Sequence, residues 1–483
     1  ALKEEYKKGW FGNAKMGGGY TVNPETDNEL IDSKGPLFNV NALMSAYGEK
    51  DQLTVIANGQ NAVDPTASGS AVIVYGMDMD EFDSKQGLST NATAGVNYNT
   101  DRIKGLPSTV SVSYKYSGKD AKEKTARTSF MSGSDDLHTN GFFDGTGDGH
   151  ILSASVEMKN ANKEKFYFSF KPKFTFNTKQ NSFTNASHTT MNADTLNSSV
   201  STKFNEGRSA GTSGQLDMGI MKLGGKEGRN LSLYAYYNFD NGDGVSGENS
   251  STLLGDSTAV VSLLYDKKSS SSYLHSNISY VEPLGEKWVL QVGTRGSWSS
   301  SRSDNIATNG LDGTYNDYYT NITDNESAVL SGGVTTQYRS GNHNLSFGFS
   351  ANMNENVYYV KNLGTETTAG KGEWQFTLAP DLDYSYSKDS FSTNVYYFGS
   401  TQQPSNSQMS PTLNLGNPTM ISAGNIYLKQ YMYHYLGGYV RHNNRENFSY
   451  VNARFSGNME QNAIVQASWF DRNAIRYSVP VNS

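Results

Sequence analysis

Residues Lys165–Phe176 read KFYFSFKPKFTF, with Phe166, Phe168, Phe170, Pro172, Phe174 and Phe176 at every second position. Tyr167, Ser169, Lys171, Lys173 and Thr175 fill the positions between. A β-strand points successive side chains to opposite faces, so the segment presents one aromatic wall and one polar, cationic wall. An all-Phe wall is unusually apolar for a soluble core. In a membrane barrel such a wall meets lipid while the polar wall meets a wet lumen, which makes Lys171 and Lys173 candidates for the lumen face. Their bland reading, water-exposed lining, is preferred over contact with a plug or an anionic solute. Pro172 lacks a ladder donor, so a bulge or an edge is expected there.

The alternation recurs along the whole chain. Phe38, Val40, Ala42, Met44 and Ala46 share a face, as do Ala92–Tyr98, Val110–Tyr116, Leu152–Met158, Leu231–Tyr237, Trp288–Val292, Leu345–Met353, Phe376–Tyr386 and Val451–Phe455. Each run has strand length and a period of two, and none sustains a helical period. The fold class is all-β.

The connections separate a barrel from a sandwich. Short charged turns stand at Gly48–Asp51, Thr100–Pro107, Lys159–Glu164, Gly224–Asn230, Pro283–Lys287, Arg339–His343, Tyr386–Ser390 and Arg441–Asn447. Long Ser/Thr/Asn/Gly-rich links alternate with them: 23–36, 61–87, 118–149, 177–199, 240–272, 300–326, 356–372 and 401–425. Short turns on one side and long polar links on the other are the pattern of antiparallel transmembrane barrels of the bacterial outer membrane, with the long links outside. One strand on either side of each short turn, with partial strands at the ends, gives about 17–18 strands. Trp10, Phe11 and Tyr20, Trp288 and Trp298, and Tyr396, Tyr397 and Phe398 are read as interfacial girdles.

Composition agrees. Charged residues are 18% of 483, below the roughly 25% of soluble domains. A mean hydropathy of -0.60 does not count against a barrel, because polar links and lumen faces cancel the apolar band. The net charge of -7 gives no basis for nucleic-acid binding. Cysteine is absent, which excludes disulfides and thiolate metal sites. No apolar run is long enough for a transmembrane helix, and the chain opens without a signal segment.

Several stretches together resemble a known family. They are Thr401-Gln402-Gln403-Pro404-Ser405 followed by Gln408-Met409-Ser410-Pro411, then Gly416-Asn417-Pro418, then Asn458–Val465. Earlier come Lys7–Asn13, Gly87–Asn91 and Tyr280-Val281-Glu282-Pro283-Leu284-Gly285. In this order they are similar to the large outer-membrane β-barrel proteins of Bacteroidetes related to TonB-dependent receptors. The resemblance implies a barrel of about 22 strands around a plug, with residues 1–483 as its barrel portion, the plug and last strands lying outside it. It implies plug-gated nutrient uptake in the outer membrane. Outer-membrane lipid, a TonB-type energy-coupling protein and a surface lipoprotein would be its partners. The alternative is a non-transporting barrel that serves as a scaffold in an outer-membrane assembly.

Chemistry beyond binding finds little support. Asp78, Asp80, Glu81 and Asp83 could hold a hard cation, but a solvated outer loop is the preferred reading. Asp144–Gly149 and Asp240–Gly244 imitate the start of a calcium loop, lack Glu at its twelfth position, and are read as Gly-rich turns. No histidine pairing has ligand spacing, and no nucleophile elbow is present, so neither a cofactor nor an enzymatic step is expected. Lys222 joins Lys171 and Lys173 as a lumen candidate.

Overall fold

A computed structural model of the chain describes all residues except 1–7, 22–34, 62–87, 104, 130–135, 161–163, 192–193, 255–256, 363, 410–419, 445 and 473–474. Its strands are β1 (Gly9–Thr21), β2 (Gly35–Tyr47), β3 (Asp51–Gln60), β4 (Leu88–Thr100), β5 (Ser108–Ser129), β6 (Leu137–Lys159) and β7 (Phe166–Met191). There follow β8 (Asp194–Met221), β9 (Asn230–Leu254), β10 (Ser257–Pro283), β11 (Trp288–Asn309), β12 (Asn321–Ser340), β13 (His343–Asn362) and β14 (Thr365–Ala369). The last are β15 (Gln375–Lys388), β16 (Phe391–Gln402), β17 (Met420–Ser422), β18 (Tyr431–Asn444), β19 (Ser449–Gln461), β20 (Ile464–Phe470) and β21 (Arg476–Asn482).

An antiparallel sheet of 18 strands holds all of these but β17, β20 and β21. Each strand from β1 to β13 pairs with the next, and the meander continues through β15, β16, β18 and β19. Strand β14 forms a short hairpin on the end of β13. Apolar residues stand opposite apolar residues in register: Phe170 faces Met158 and Leu216, Phe176 faces Leu152 and Ala210, and Leu382 faces Phe347 and Tyr397. A slip of one residue would turn each set to the wrong face, so the pattern fixes the register.

The apolar face is exposed, as it must be against lipid: Phe174, Leu330, Phe347 and Leu436 all stand open. From Phe166 to Phe176 the band runs about 33 Å along the strand, or about 23 Å in height at a tilt of ~45°. That matches the ~25 Å apolar belt of an outer-membrane barrel. Trp288 on Tyr338 and His343 on Tyr386, both pairs with ring centroids 4.8 Å apart, mark its lower edge next to the short turns.

The long links depart from expectation. Strands β7 and β8 are 26 and 28 residues long, far beyond the 9–11 that cross a membrane. Most of the links read as loops at 118–149, 177–199, 240–272, 300–326 and 356–372 are strand, continuing the ladders outward. Ser, Thr, Asn and Gly satisfy a ladder without apolar neighbours, and composition alone read them as loop. Asp144–Gly149 and Asp240–Gly244 are likewise strand in β6 and β9, not turns.

Pro172 forms no bulge. Pairing of β6 with β7 skips the rungs beside Pro172 and Lys171, and resumes at Met158↔Phe170 in the register of Ser155↔Lys173. The proline costs rungs on one side only, since its ladder with β8 continues at Gly214.

The chain's last strand is a second departure from the expectation of partial barrel strands at the ends: β21 joins β20 and β17 in a separate three-stranded sheet. Beside it a small apolar core gathers Tyr358 and Val360 of β13, Met409 of the helical turn α1 (Asn406–Met409), Ile426 and Leu428, and Ile464 of β20 packs against it. Tyr358 and Val360 alternate with the lipid-facing residues of β13, so the core sits on the inner side of its outward extension.

Candidate functional site

Alternation gives the sheet a second, polar face, the inner wall of the barrel. Lys171 lies on this face, opposite Gln215, with its Nζ 3.2 Å from Glu157 Oε1 of β6. Lys173 shares its face, opposite Ser155 and Ser213. Lys222 does not: it occupies the β8–β9 turn at φ 53 and pairs with Glu227 at 2.7 Å.

One ladder row links Lys171 to Gln215, Tyr236 and His275 across four strands. Tyr273 stacks on His275 at 6.3 Å and contacts Tyr236 at 5.9 Å. Glycine lets rings lie flat on this wall: Tyr167 covers Gly219 so closely that any Cβ there would collide with it.

A second aromatic group occupies β16 and β18. Tyr396 and Phe398 alternate with Tyr397, whose partner Leu382 faces lipid, so only Tyr397 belongs to the outer surface. The reading of all three as a girdle is therefore corrected, because alternation divides them between faces. Tyr396 stacks on Tyr435 at 5.7 Å, Phe398 on Tyr435 at 5.4 Å, and Phe398 approaches Tyr433 at 6.1 Å. Asp381 stands opposite Phe398 and Asp383 opposite Tyr396, with Asn394 Nδ2 donating to the Asp383 carboxylate at 3.1 and 3.2 Å. The signal was present in the sequence as Tyr431, Tyr433, Tyr435 and Tyr439 on alternate positions.

The motif residues Gln403, Pro404 and Ser405 support the separate sheet. Gln403 Nε2 donates to Gln430 Oε1 at 3.0 Å, Pro404 is buried, and Ser405 N donates to Gln408 Oε1 at 2.9 Å. Asn425 N donates to the Gln408 carbonyl at 2.7 Å, and Asn482 exchanges hydrogen bonds with Lys429 at 2.8 and 3.0 Å. Gly416, Asn417 and Pro418 lie outside the described residues, as do Asp78, Asp80, Glu81 and Asp83. Among the described residues no group of His, Asp and Glu is arranged for a metal ion.

The other motif, Glu282-Pro283-Leu284-Gly285, builds the short-turn rim. Glu282 receives Arg229 and Lys226 from the neighbouring turn, Lys226 Nζ also reaches the Pro283 carbonyl at 2.6 Å, and Gly285 turns the chain at φ 91. The Arg229 guanidinium, with Lys226 and Tyr280, holds the Glu282 carboxyl well below the usual carboxylate range. Asp51 is held low in the same way by Arg102, Thr100 and Tyr98.

The family model described as "Outer membrane protein beta-barrel family" matches residues 223–483, more than half of the chain. No curated protein matches. Among solved structures, the ferric citrate transporter FecA in its unliganded form is 9% identical, with 99% of this chain and 77% of that one covered, at a TM-score of 0.31. The copper transporter OprC is 7% identical over 94% of this chain and 80% of its own, at 0.20. The outer membrane transporter YddB from Escherichia coli is 7% identical over 88% and 76%, at 0.21.

Proposed function

The chain belongs to the outer membrane protein beta-barrel family, and from that membership we propose that it forms the wall of a TonB-dependent-receptor-like protein that takes up a nutrient. The observation that carries this reading is the division of the sheet. One face is continuously apolar at membrane height, and the other is lined by Ser, Asn, Tyr, Lys and Asp. A scaffold needs the first face; a path for a polar solute needs the second as well.

In this reading the outward extensions and the sheet built on β13 meet the solute first. The inner wall then holds it by hydrogen bonds and ring contacts, and a plug gates its passage. No covalent step is involved. A TonB-type protein would supply the energy from the periplasm, and a surface lipoprotein would sit at the outer end. The test is uptake by cells lacking the gene, measured with labelled peptides, glycans and metal chelates. Uptake of one class should fall, and fall equally when the energy-coupling protein is removed. Unchanged uptake of every class, together with loss of a co-purifying outer-membrane assembly, would replace the reading with that of a scaffold.

A further inference from the structure

We propose that a row of charged side chains on the outside of the sheet, just above its apolar band, binds a lipid headgroup carrying both a phosphate and a primary ammonium. The inference does not depend on the uptake reading, because it concerns the face turned to lipid. A single ladder row crosses five strands there. Thr178 of β7 stands beside Arg208 of β8, Arg208 beside Asp243 of β9, Asp243 beside Lys268 of β10, and Lys268 beside Asp304 of β11. On β7 and β8 the row is the next same-face position above Phe176 and Ala210, about 7 Å further along the strands.

The boundary is abrupt. Between Phe166 and Phe176, Ala210 and Ile220, Leu231 and Asn241, Ser270 and Tyr280, and Trp288 and Ser300, the lipid face of these strands holds no charged side chain. Within the next two positions of that face come Arg208, Asp243, Lys268, Arg302 and Asp304. The ladder of β7 with β8 runs on without a break at this height, so the charges stand on paired backbone.

Sign alternates along the row. From Arg208 to Asp304 it reads positive, negative, positive, negative, one charge per strand at a spacing of about 4.8 Å. An anion alone would meet Asp243 and Asp304 beside the cations, and a cation alone would meet Arg208 and Lys268. A head that carries both signs a strand spacing apart meets an opposite charge at each end. Phosphoethanolamine is such a head, with two carbons joining its phosphate to its ammonium.

Existing pairs divide the roles. Arg208 donates from Nε to both oxygens of Asp243, at 3.0 and 2.9 Å, which fixes that carboxylate while its side chain stays 52% exposed. Arg302 Nε holds Asp304 at 2.9 Å. Lys268, exposed and opposite both carboxylates, forms an ion pair with neither. Lys268 is thus the seat for the phosphate and Asp243 the seat for the ammonium. A primary ammonium brings three N–H donors to a carboxylate, which a quaternary one lacks. A cleft of about 410 Å³ opens at Arg208 and Asp243, lined also by Asp148, His150, Thr178, Gln180 and Glu206, and gives the head room against the wall.

Spin-labelled lipids in vesicles that hold the purified full protein test this. Phosphatidylethanolamine, phosphatidylcholine and phosphatidylglycerol of equal chain length are the probes, and the motionally restricted fraction gives their relative association. Phosphatidylethanolamine should associate about threefold more strongly than either of the others, and high salt should narrow the difference. Lys268→Gln with Asp243→Asn should remove the preference, whereas Lys268→Arg should keep it. Lys287→Gln, in a short turn at the other end of the sheet, should change nothing. Heat-dependent gel mobility reports that each variant is folded. Equal association of phosphatidylethanolamine and phosphatidylcholine, a preference for phosphatidylglycerol, or an undiminished preference in the paired variant would overturn the site. Lipid association is read without transport, so loss of nutrient uptake refutes neither the row nor its ligand.

Discussion

Arg229 grips Glu282 with two nitrogens, Nε at 2.8 Å from one carboxylate oxygen and Nη2 at 2.9 Å from the other. Arg229 belongs to the turn between β8 and β9, and Glu282 to the end of β10, so the pair ties adjacent turns together. Arg102 holds Asp51 similarly between the β4–β5 and β2–β3 turns, with Nε at 3.0 Å from Oδ1 and Nη2 at 2.6 Å from Oδ2. In both places a tyrosine hydroxyl, of Tyr280 or Tyr98, donates to the same carboxylate. The rim is thus stitched by a repeated Tyr–carboxylate–Arg unit.

The unit makes the rim sensitive to acid. Both carboxyls are lowered in the folded state relative to their ordinary values near 4. Their contribution is therefore complete above the unfolded value and is lost as pH falls toward the lowered folded one. Melting of the detergent-solubilised protein should drop between about pH 5 and pH 2, and less steeply in a variant with Glu282→Gln and Asp51→Asn. Identical pH profiles for the two proteins would mean that the pairs add nothing to stability.

The assignment of faces can be read chemically, because the chain has no cysteine. Lys171→Cys and Lys173→Cys should react rapidly with a small water-soluble maleimide in outer-membrane vesicles. Phe174→Cys and Leu436→Cys should react slowly there, and become reactive once the protein is unfolded. Equal rates at Lys173→Cys and Phe174→Cys would contradict the division of the sheet.

Depth along β7 gives a third prediction. Phe170 lies near the middle of the apolar band and Phe166 at its lower edge, where the strand begins. Arginine on the lipid face costs about 2–4 kcal/mol at mid-membrane and about 0–1 near the interfaces. Phe170→Arg should therefore lower the urea midpoint of refolding into lipid vesicles clearly more than Phe166→Arg does. The reverse order would place the membrane elsewhere on the sheet.

Fold class and the alternation of faces were legible because each depends on a period of two, which apolar and polar residues write directly. Lys171 and Lys173 were placed by that rule alone. The same rule, applied to Tyr396, Tyr397 and Phe398, would have separated them; grouping them by composition did not. Strand length beyond the membrane was illegible for a physical reason. Outside lipid, neither face of β7 or β8 needs apolar residues, so a ladder of Thr, Asn and Ser looks like a loop. The separate sheet was hidden because the long-range contacts of Tyr358 and Val360 with Met409, Ile426 and Leu428 leave no periodic mark.

That sheet should detach when its anchor is cut. Tyr358 is 1% exposed and the largest side chain of its cluster. Tyr358→Ala removes packing worth about 3–5 kcal/mol, with a cavity left behind. Proteases should then cleave within 403–430 and 462–483 much faster in the variant, while the rest of the barrel keeps its heat-dependent mobility. Unchanged cleavage would show that the hydrogen bonds from Asn425, Gln430 and Asn482 hold the sheet without the core.

Gly437 offers the sharpest test of how the inner wall is shaped. Adding a single methyl there forces the Tyr396 and Tyr435 rings off the backbone, since neither can remain within 3 Å of a Cβ. Overpacking of this kind costs about 1–3 kcal/mol unless the rings swing away. If they do, stability is kept but the flat surface is lost. Gly457→Ala is the matched control, because nothing lies within 4 Å of a Cβ at that position. Gly437→Ala should lower the melting temperature of the detergent-solubilised protein, and Gly457→Ala should leave it unchanged. Unchanged melting in Gly437→Ala would mean that the two rings swing off the backbone without cost, and that their close approach to Gly437 adds nothing to stability.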